Sequence, residues 1–462
     1  MIKISFHGGV EGVTGSRHLL SVNDKQVLLD CGLFQGRRGE YYERNLTFAF
    51  DPARVNALVV SHAHIDHIGD VPNLVKKGFK GEIHCTLATA DLTAIMLNDS
   101  ARVNQADVTF VNKIRAKHGE PALPPLYELK DVAPALALLQ GHSLNHPFDI
   151  LPGIRGIFRV AGHILGSAIT VLDIDDNGRK ISLCYTGDLG RENLPIIRDP
   201  FQVTAADVLL IESTYGNRLH SDIRQAADKL ADIVNKTVKR GGKLIVPVFA
   251  LERTQELVHT LHLLRMANKI PSIPIYVDSP LAIDATDIFR AHPECFDEET
   301  IELMRRTEDP FGFRELHYIR TAEDSRKLND MEGPMMILSC SGMAEFGRIL
   351  HHLRNNIENP RNTVLIVGYQ AENTLGRKLA EHRKEVPIFG EKYKLNAEVV
   401  VFDEFSGHAD QRDLLKWVAH GKWKKIFIVH GEKEAAAAFA GILKAQGYAD
   451  VNVPKMGESF IL

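Results

Sequence analysis

The residues Ser61-His62-Ala63-His64-Ile65-Asp66-His67 place three imidazoles and a carboxylate on one short stretch, directly after the apolar run Ala57-Leu58-Val59-Val60. An apolar run that stops abruptly at polar residues reads as a buried strand delivering a loop at its carboxyl end. Four ligands on so short a loop cannot all reach one ion with good geometry. Two neighbouring ions suit them better, with His62 and His64 serving one and Asp66 and His67 the other. Further potential ligands follow apolar runs or close short motifs elsewhere: Asp30 after Val27-Leu28-Leu29, His163 in Ala161-Gly162-His163, Asp188 after Tyr185-Thr186-Gly187, Glu212 after Val208–Ile211, His408 in Ser406-Gly407-His408, and His430 after Ile426–Val429. Imidazole with carboxylate suits Zn²⁺, Fe²⁺ or Mn²⁺, and the lack of thiolates fits a catalytic rather than a structural site. The set divides into His62, His64, His163 and Asp188 for one ion, and Asp66, His67, Asp188 and His430 for the other. Asp188 is then the bridge.

The elements that must position these residues change character along the chain. Up to about residue 60 the sequence predicts strands only (Ile2–Phe6, His18–Val22, Gln26–Leu29), separated by turn residues. Helices are expected over Val71–Lys77, Ala88–Arg102 and Ala106–Gly119, then a proline-rich connector at Pro121, Pro124 and Pro125. Strands return at Ile154–Val160, Ala168–Ile174 and Arg179–Cys184, the last two joined by Asp175-Asp176-Asn177-Gly178, a strong hairpin signal. From about residue 220, helices (Ala226–Lys239, Glu252–Asn268, Leu281–Ala291, Ala344–Asn355) alternate with apolar strands (Lys243–Val248, Ile275–Val277, Met335–Leu338, Thr363–Val367). That alternation is the pattern of an open parallel sheet. A polar strand region over Lys392–Phe402, the helix Gln411–His420, the strand Lys425–Val429 and the helix Glu434–Ala445 finish the chain.

The chain has 462 residues, enough for two domains, and a formal net charge of -4. Global charge does not advertise a nucleic-acid binder, so such binding would need a local basic groove. Five scattered cysteines without a CxxC pair argue against a disulfide framework and for a reducing compartment. With no apolar signal core at the amino terminus and no run of membrane-spanning length, the expected location is the cytoplasm, with no membrane partner.

His62-Ala63-His64-Ile65-Asp66-His67 resembles the HxHxDH signature of the metallo-β-lactamase superfamily, and His163 and Asp188 match its later ligand motifs. Leu210–Gly216 around Glu212, Phe405–Asp410 around His408, and Val429-His430-Gly431-Glu432 resemble the three extra motifs of the β-CASP nuclease group. Pro247–Leu257 and Ser339–Met343 look like stretches common in that group. The nearest look-alikes are bacterial and archaeal relatives of the endonuclease subunit of the cleavage and polyadenylation specificity factor. The resemblance implies an α/β fold: an αββα metallo-β-lactamase sandwich (residues 1–214 and 403–462) with an inserted, Rossmann-like parallel-sheet β-CASP domain (residues 215–402). It implies a ribonuclease with two divalent ions, zinc first and manganese as the alternative, acting endonucleolytically or 5′-to-3′ where the two domains meet. Products would carry 5′-phosphate and 3′-hydroxyl ends. On this resemblance the catalytic residues are His408 as general acid, Glu212 orienting it, Asp66, and Asp30 orienting a metal ligand.

The partner expected is single-stranded RNA, and a homodimer is compatible with the resemblance. His430 favours RNA, because DNA-acting members tend to carry an apolar residue there. For phosphate contacts the candidates are Ser341 and Gly342, between a strand and a helix amino terminus, and Arg253 and Arg348 near helix starts. Solvated or capping arginines are the alternative reading. The group often has Gly-Gly-Arg where this chain has Phe346-Gly347-Arg348. Two other functions compete: a metallo-hydrolase of a small ester, thioester or cyclic nucleotide, which would not need a second domain, and a catalytically silent RNA-binding subunit, which would usually have lost metal ligands.

Overall fold

A computed structural model describes residues 1–36, 38–368, 370–402 and 404–462, the side chains at 38–40 excepted. The domain edge expected at 402/403 touches residue 403, which lies outside the described residues. The chain folds as two compact units: Met1–Glu192, Asp199–Leu219 and His408–Leu462 form the first, and Asn193–Arg198 with His220–Gly407 form the second.

The first unit is built on two seven-stranded sheets. One runs in the order Ser459–Ile461, Ile2–Gly8, Arg17–Val22, Lys25–Leu29, Ala57–Val59, Glu82–Thr86, Leu139–His142; the other runs Val451–Asn452, Lys422–Val429, Ala205–Glu212, Arg179–Tyr185, Ala168–Asp176, Ile154–Val160, Pro147–Leu151. Strands alternate their side chains between faces, so one face of each sheet can be wholly apolar. Phe6, Leu20, Val27 and Val59 from the first sheet pack against Phe158, Leu172, Leu183, Leu210 and Phe427 from the second, forming the inter-sheet core. The outer face of the second sheet (Leu209, Ile211, Ile426, Ile428) is covered by Leu414, Trp417 and Val418 of the helix Gln411–Ala419 and by Phe439 and Leu443 of the helix Lys433–Ala445. With the helix Leu87–Lys117 lying along the far strands of the first sheet, the layers are αββα. The second unit holds a six-stranded, wholly parallel sheet: Leu316–Tyr318, Ile275–Asp278, Met336–Ser339, Leu244–Pro247, Thr363–Val367, Glu398–Phe402.

Several expectations about elements need correction. The amino-terminal region is not all strand, since a helix spans Arg38–Leu46. The two helices expected at Ala88–Arg102 and Ala106–Gly119 are one continuous helix, Leu87–Lys117. No glycine or proline interrupts the intervening Val103-Asn104-Gln105, so the ladder of backbone bonds continues. The helix expected from Ala344 starts only at Arg348, after Gly347 at φ 84°. The polar stretch between Ala291 and Met335 hides two helices, Glu298–Thr307 and Ala322–Asp330, capped by Asp297 and Thr321. Asn193–Arg198, not singled out from sequence, goes with the second unit through the bridge of Ile197 to Phe296 and the bond from Asp297 N–H to Ile196 C=O.

Candidate metal centre

The strand Ala57–Val59 is buried throughout and ends at the ligand loop, whose last residues form one short helical turn, Ile65–Ile68. Neighbouring backbone clamps this loop. Ser16 N–H donates to Asp66 C=O at 2.9 Å, Cys31 N–H to His67 C=O at 2.7 Å, and Leu33 N–H to Ile65 C=O at 3.0 Å. Gly32 permits the approach, for a Cβ there would lie 1.6 Å from Asp66 O. A buried guanidinium backs the clamp: Arg17 donates to Gly32 C=O at 2.8 Å and to Asp70 Oδ2 at 2.7 Å. On the opposite side Gly190 plays the equivalent part, with a Cβ falling 1.6 Å from Gly162 O beside His163.

These elements bring the expected ligands into two adjoining clusters. In one, His62, His64, His163 and Asp188 each present a donor atom. His62 Nε2 and His64 Nδ1 are 3.1 Å apart, His163 Nε2 and His64 Nδ1 3.2 Å, and Asp188 Oδ2 lies 3.5 Å from His62 and 3.6 Å from His163. In the other, Asp66, His67 and His430 converge. His67 Nε2 is 3.3 Å from His430 Nε2, and His430 Nε2 is 3.5 Å from Asp66 Oδ2. Asp188 turns its other oxygen this way, Oδ1 lying 3.4 Å from His67 Nε2 and 3.4 Å from His430 Nδ1. That oxygen is buried and, among the described residues, accepts no hydrogen bond.

The spacing fits a divalent cation. A tetrahedral ion with metal–ligand bonds near 2.0–2.1 Å separates its donor atoms by roughly 3.3–3.4 Å, the middle of the 3.1–3.6 Å these atoms span. Electrostatics agree. Burial keeps His62 and His64 neutral, His64 being pushed down to about 4, so their lone pairs are free to bind. Burial opposes ionisation of Asp188, but the imidazoles of His430, His67 and His62 hold its carboxyl well below the usual range. Burial likewise opposes a proton on His67, yet Asp188 and Asp30 raise its proton affinity well above the ordinary value, a measure of how strongly this pocket attracts positive charge.

A third grouping adjoins the first two. His408 Nδ1 lies 3.1 Å from Glu212 Oε1 and 3.9 Å from Asp188 Oδ2, and its ring centroid is 4.4 Å from that of His163. Glu212 is buried and fixed by the Leu189 N–H at 2.7 Å. Burial lowers the proton affinity of His408, but Glu212, Asp188 and Asp66 outweigh it and push the pKa up to about 9. The imidazole is therefore charged at neutral pH. Asp30 sits behind the clusters and accepts from Ser61 N–H, Ser61 Oγ, Tyr185 Oη and His67 Nδ1 at 2.6–2.7 Å. Sequence reading did not single out Ser61 and Tyr185. Their only signal is position, one immediately before His62 and the other closing the strand that leads to Asp188.

The expected phosphate contacts lie in the second unit, where both arginines are engaged by the protein itself. Arg253 is buried and bonds Glu256 and Phe405 C=O. Arg348 donates to Asp278 Oδ1 at 2.6 Å and to Arg320 C=O at 2.8 Å. Ser341 Oγ accepts the Glu345 N–H at 3.0 Å, and Gly342 C=O accepts from Gln370 at 3.1 Å. Among the described residues no helix is long and apolar enough to cross a membrane.

Comparison with known proteins adds the lineage. Residues 18–246 match the metallo-β-lactamase superfamily, 254–379 the Beta-Casp domain, and 392–454 a Zn-dependent metallo-hydrolase RNA specificity domain. The chain is 36% identical over 451 residues to a ribonuclease of Thermus thermophilus, covering 98% of each. It is 33% identical over 449 residues to an RNase J-like protein of Methanocaldococcus jannaschii (95% of each), and 32% identical over 457 residues to a transcription termination factor of Methanosarcina mazei (95% of this chain, 68% of that one). A crystal structure of a protein of unknown function from Enterococcus faecalis shares the fold alone, at TM-score 0.57 and 12% identity with both chains fully covered. On the full-length similarity and the three matched domains, the chain belongs to the metallo-β-lactamase superfamily, in its β-CASP nuclease group.

Proposed function

We propose that this chain is a ribonuclease that cleaves single-stranded RNA in the cytoplasm, leaving 5′-phosphate and 3′-hydroxyl ends. Its two donor clusters would hold two divalent cations, zinc in the first instance. The observation that carries the reading is the placement of His408 and Glu212 against Asp188, the carboxylate whose two oxygens face different clusters. Cations held there would neutralise phosphate oxygens and acidify a water poised to attack phosphorus. The remaining work falls to the chain's own groups. His408 is one-fifth exposed and, among the described residues, hydrogen-bonded on its Nδ1 side to Glu212, which would leave Nε2 to give a proton to the departing 3′ oxygen. Glu212 fixes the ring and balances its charge. Asp66, at 22% exposure the most open carboxylate of the clusters, is placed to accept a proton from the attacking water. The RNA preference draws support from the specificity domain over residues 392–454 and from the names of the Thermus and Methanocaldococcus relatives.

The test is to incubate the purified protein, loaded with Zn²⁺ or Mn²⁺, with end-labelled single-stranded RNA and DNA. RNA should be cut and DNA spared, with chelator abolishing cleavage. Mononucleotide release would mark exonuclease action and internal fragments endonuclease action. Metal-loaded protein that leaves RNA intact would overturn the proposal.

A further inference from the structure

A carboxylate can only accept hydrogen bonds. Asp30 Oδ1 takes the Ser61 N–H at 2.7 Å, while Oδ2 takes Tyr185 O–H at 2.6 Å, Ser61 O–H at 2.7 Å and the His67 Nδ1 proton at 2.7 Å. Ser61 has one hydroxyl proton, and it is spent on Asp30. What its oxygen offers His62 Nδ1, 3.0 Å away, is a lone pair. His62 must therefore carry its proton on Nδ1. With the proton on Nδ1, each imidazole turns Nε2 into the clusters as the atom that can take an ion, His62 toward His64 and His67 toward His430. All five side chains are at most 2% exposed, so water cannot stand in for any of these partners.

We infer that Asp30 sets one ligand in each cluster, His67 directly and His62 through the hydroxyl of Ser61, with Tyr185 holding the carboxylate in place. Ser61 and Tyr185 are positioning residues. Without the Ser61 oxygen, the His62 Nδ1 proton faces no acceptor. The buried ring gains by moving it to Nε2, and an Nε2–H cannot bind a cation. The lesion in Ser61→Ala falls mainly on the His62/His64/His163/Asp188 cluster: His67 keeps its own bond to Asp30, which loses one hydroxyl donor but retains the Ser61 N–H and the Tyr185 O–H. Tyr185→Phe acts on Asp30 itself and so touches both clusters. The inference rests on reading the clusters as a metal centre.

Zinc binding is measured by competition with a chromophoric chelator, with zinc content by mass spectrometry, on the full chain and without reference to activity. The wild type should take up two equivalents. Ser61→Ala should bind one ion about 10–100-fold more weakly, the usual consequence of removing a group that orients a ligand, and the other only slightly more weakly than the wild type. Tyr185→Phe should weaken both. Independent of any variant, ¹⁵N-histidine NMR of the zinc-loaded wild type should show the proton of His62 and of His67 on Nδ1. A Nε2–H tautomer at His62, or a folded Ser61→Ala that binds both ions unchanged or weakens both equally, would overturn the inference alone. A wild type that binds fewer than two equivalents would overturn the metal-centre reading, and the inference with it.

Discussion

Replacing Gly32 by alanine is the sharpest test of how the ligand loop is held. Gly32 is not in the left-handed region, so alanine can adopt its backbone angles, and the effect comes from contact alone. The new Cβ would stand 1.6 Å from Asp66 O, 2.1 Å from Asp66 C and 2.8 Å from His67 N, all backbone atoms that no rotamer change can move. Opening the closest contact even to 3.0 Å, the limit real Cβ atoms respect, needs a displacement of roughly 1.4 Å. Metal–ligand bonds tolerate about 0.2 Å. The displacement also pulls on the bonds from Cys31 N–H to His67 C=O and from Leu33 N–H to Ile65 C=O, each worth about 1 kcal/mol. Gly32→Ala should thus lower affinity for the ion on Asp66, His67 and His430 by at least about 100-fold, more than loss of an orienting partner usually costs. Gly190→Ala, whose Cβ would meet Gly162 O at 1.6 Å and His163 N at 2.8 Å, should do the same to the ion on His62, His64 and His163. Gly441, in the helix Lys433–Ala445 with nothing within 4 Å, serves as control, and its alanine variant should gain about 0.5–1 kcal/mol of stability. Chelator competition with a parallel thermal melt reads all three. A folded Gly32→Ala protein that binds both ions with wild-type affinity would refute the argument from backbone contact.

Arg17→Ala leaves Asp70 buried without its guanidinium and should cost about 3–5 kcal/mol in urea unfolding, with the denaturant slope unchanged. His408→Ala should reduce turnover roughly 10²–10⁴-fold at full metal content; loss of metal in that variant would make His408 a ligand rather than an acid. In the second unit burial opposes the charge on Asp278, but His352, Ser325 and Arg348 hold its carboxyl below the ordinary 3.8. Its stabilising effect is therefore complete above that value and lost as pH falls through the lower native one. Asp278→Asn should flatten this acid limb in equilibrium unfolding followed across pH; an unchanged limb would mean the network is not holding the charge.

Much of the fold was legible because strong local signals survived their surroundings. The Asn177-Gly178 turn joins the strands it was expected to join, with φ of 55° and 94° at the two residues. The helix Ala226–Lys239 ends where its apolar periodicity ends. Elements that escaped notice are those whose pattern is weak. The strands Leu139–His142 and Pro147–Leu151 lie at sheet edges, are largely exposed, and carry no run of apolar residues. The helices Glu298–Thr307 and Ala322–Asp330 are polar over most of their surface, and only their caps, Asp297 and Thr321, announce them.

The candidate site divides along a different line. That its candidate ligands would converge could be read from sequence because a parallel or mixed sheet collects the carboxyl ends of its strands at one edge, so ligand-type residues closing apolar runs meet whatever the loops between them do. What such a residue is bonded to follows no comparable rule. Arg348 and Asp278 are 70 positions apart, Tyr185 and Asp30 155. No spacing relates them; only strand order does. The same gap acts in two directions. Two arginines at helix starts were candidates for phosphate, with a capping role as the alternative, and the chain's own carboxylates engage both; a serine and a tyrosine drew no notice, and both donate to the carboxylate on which two candidate ligands depend. For long polar side chains the partner, not the position, decides between a binding role and a structural one. That is why Ser61→Ala and Tyr185→Phe, which each remove a single buried oxygen, should report on the centre more selectively than truncating either arginine.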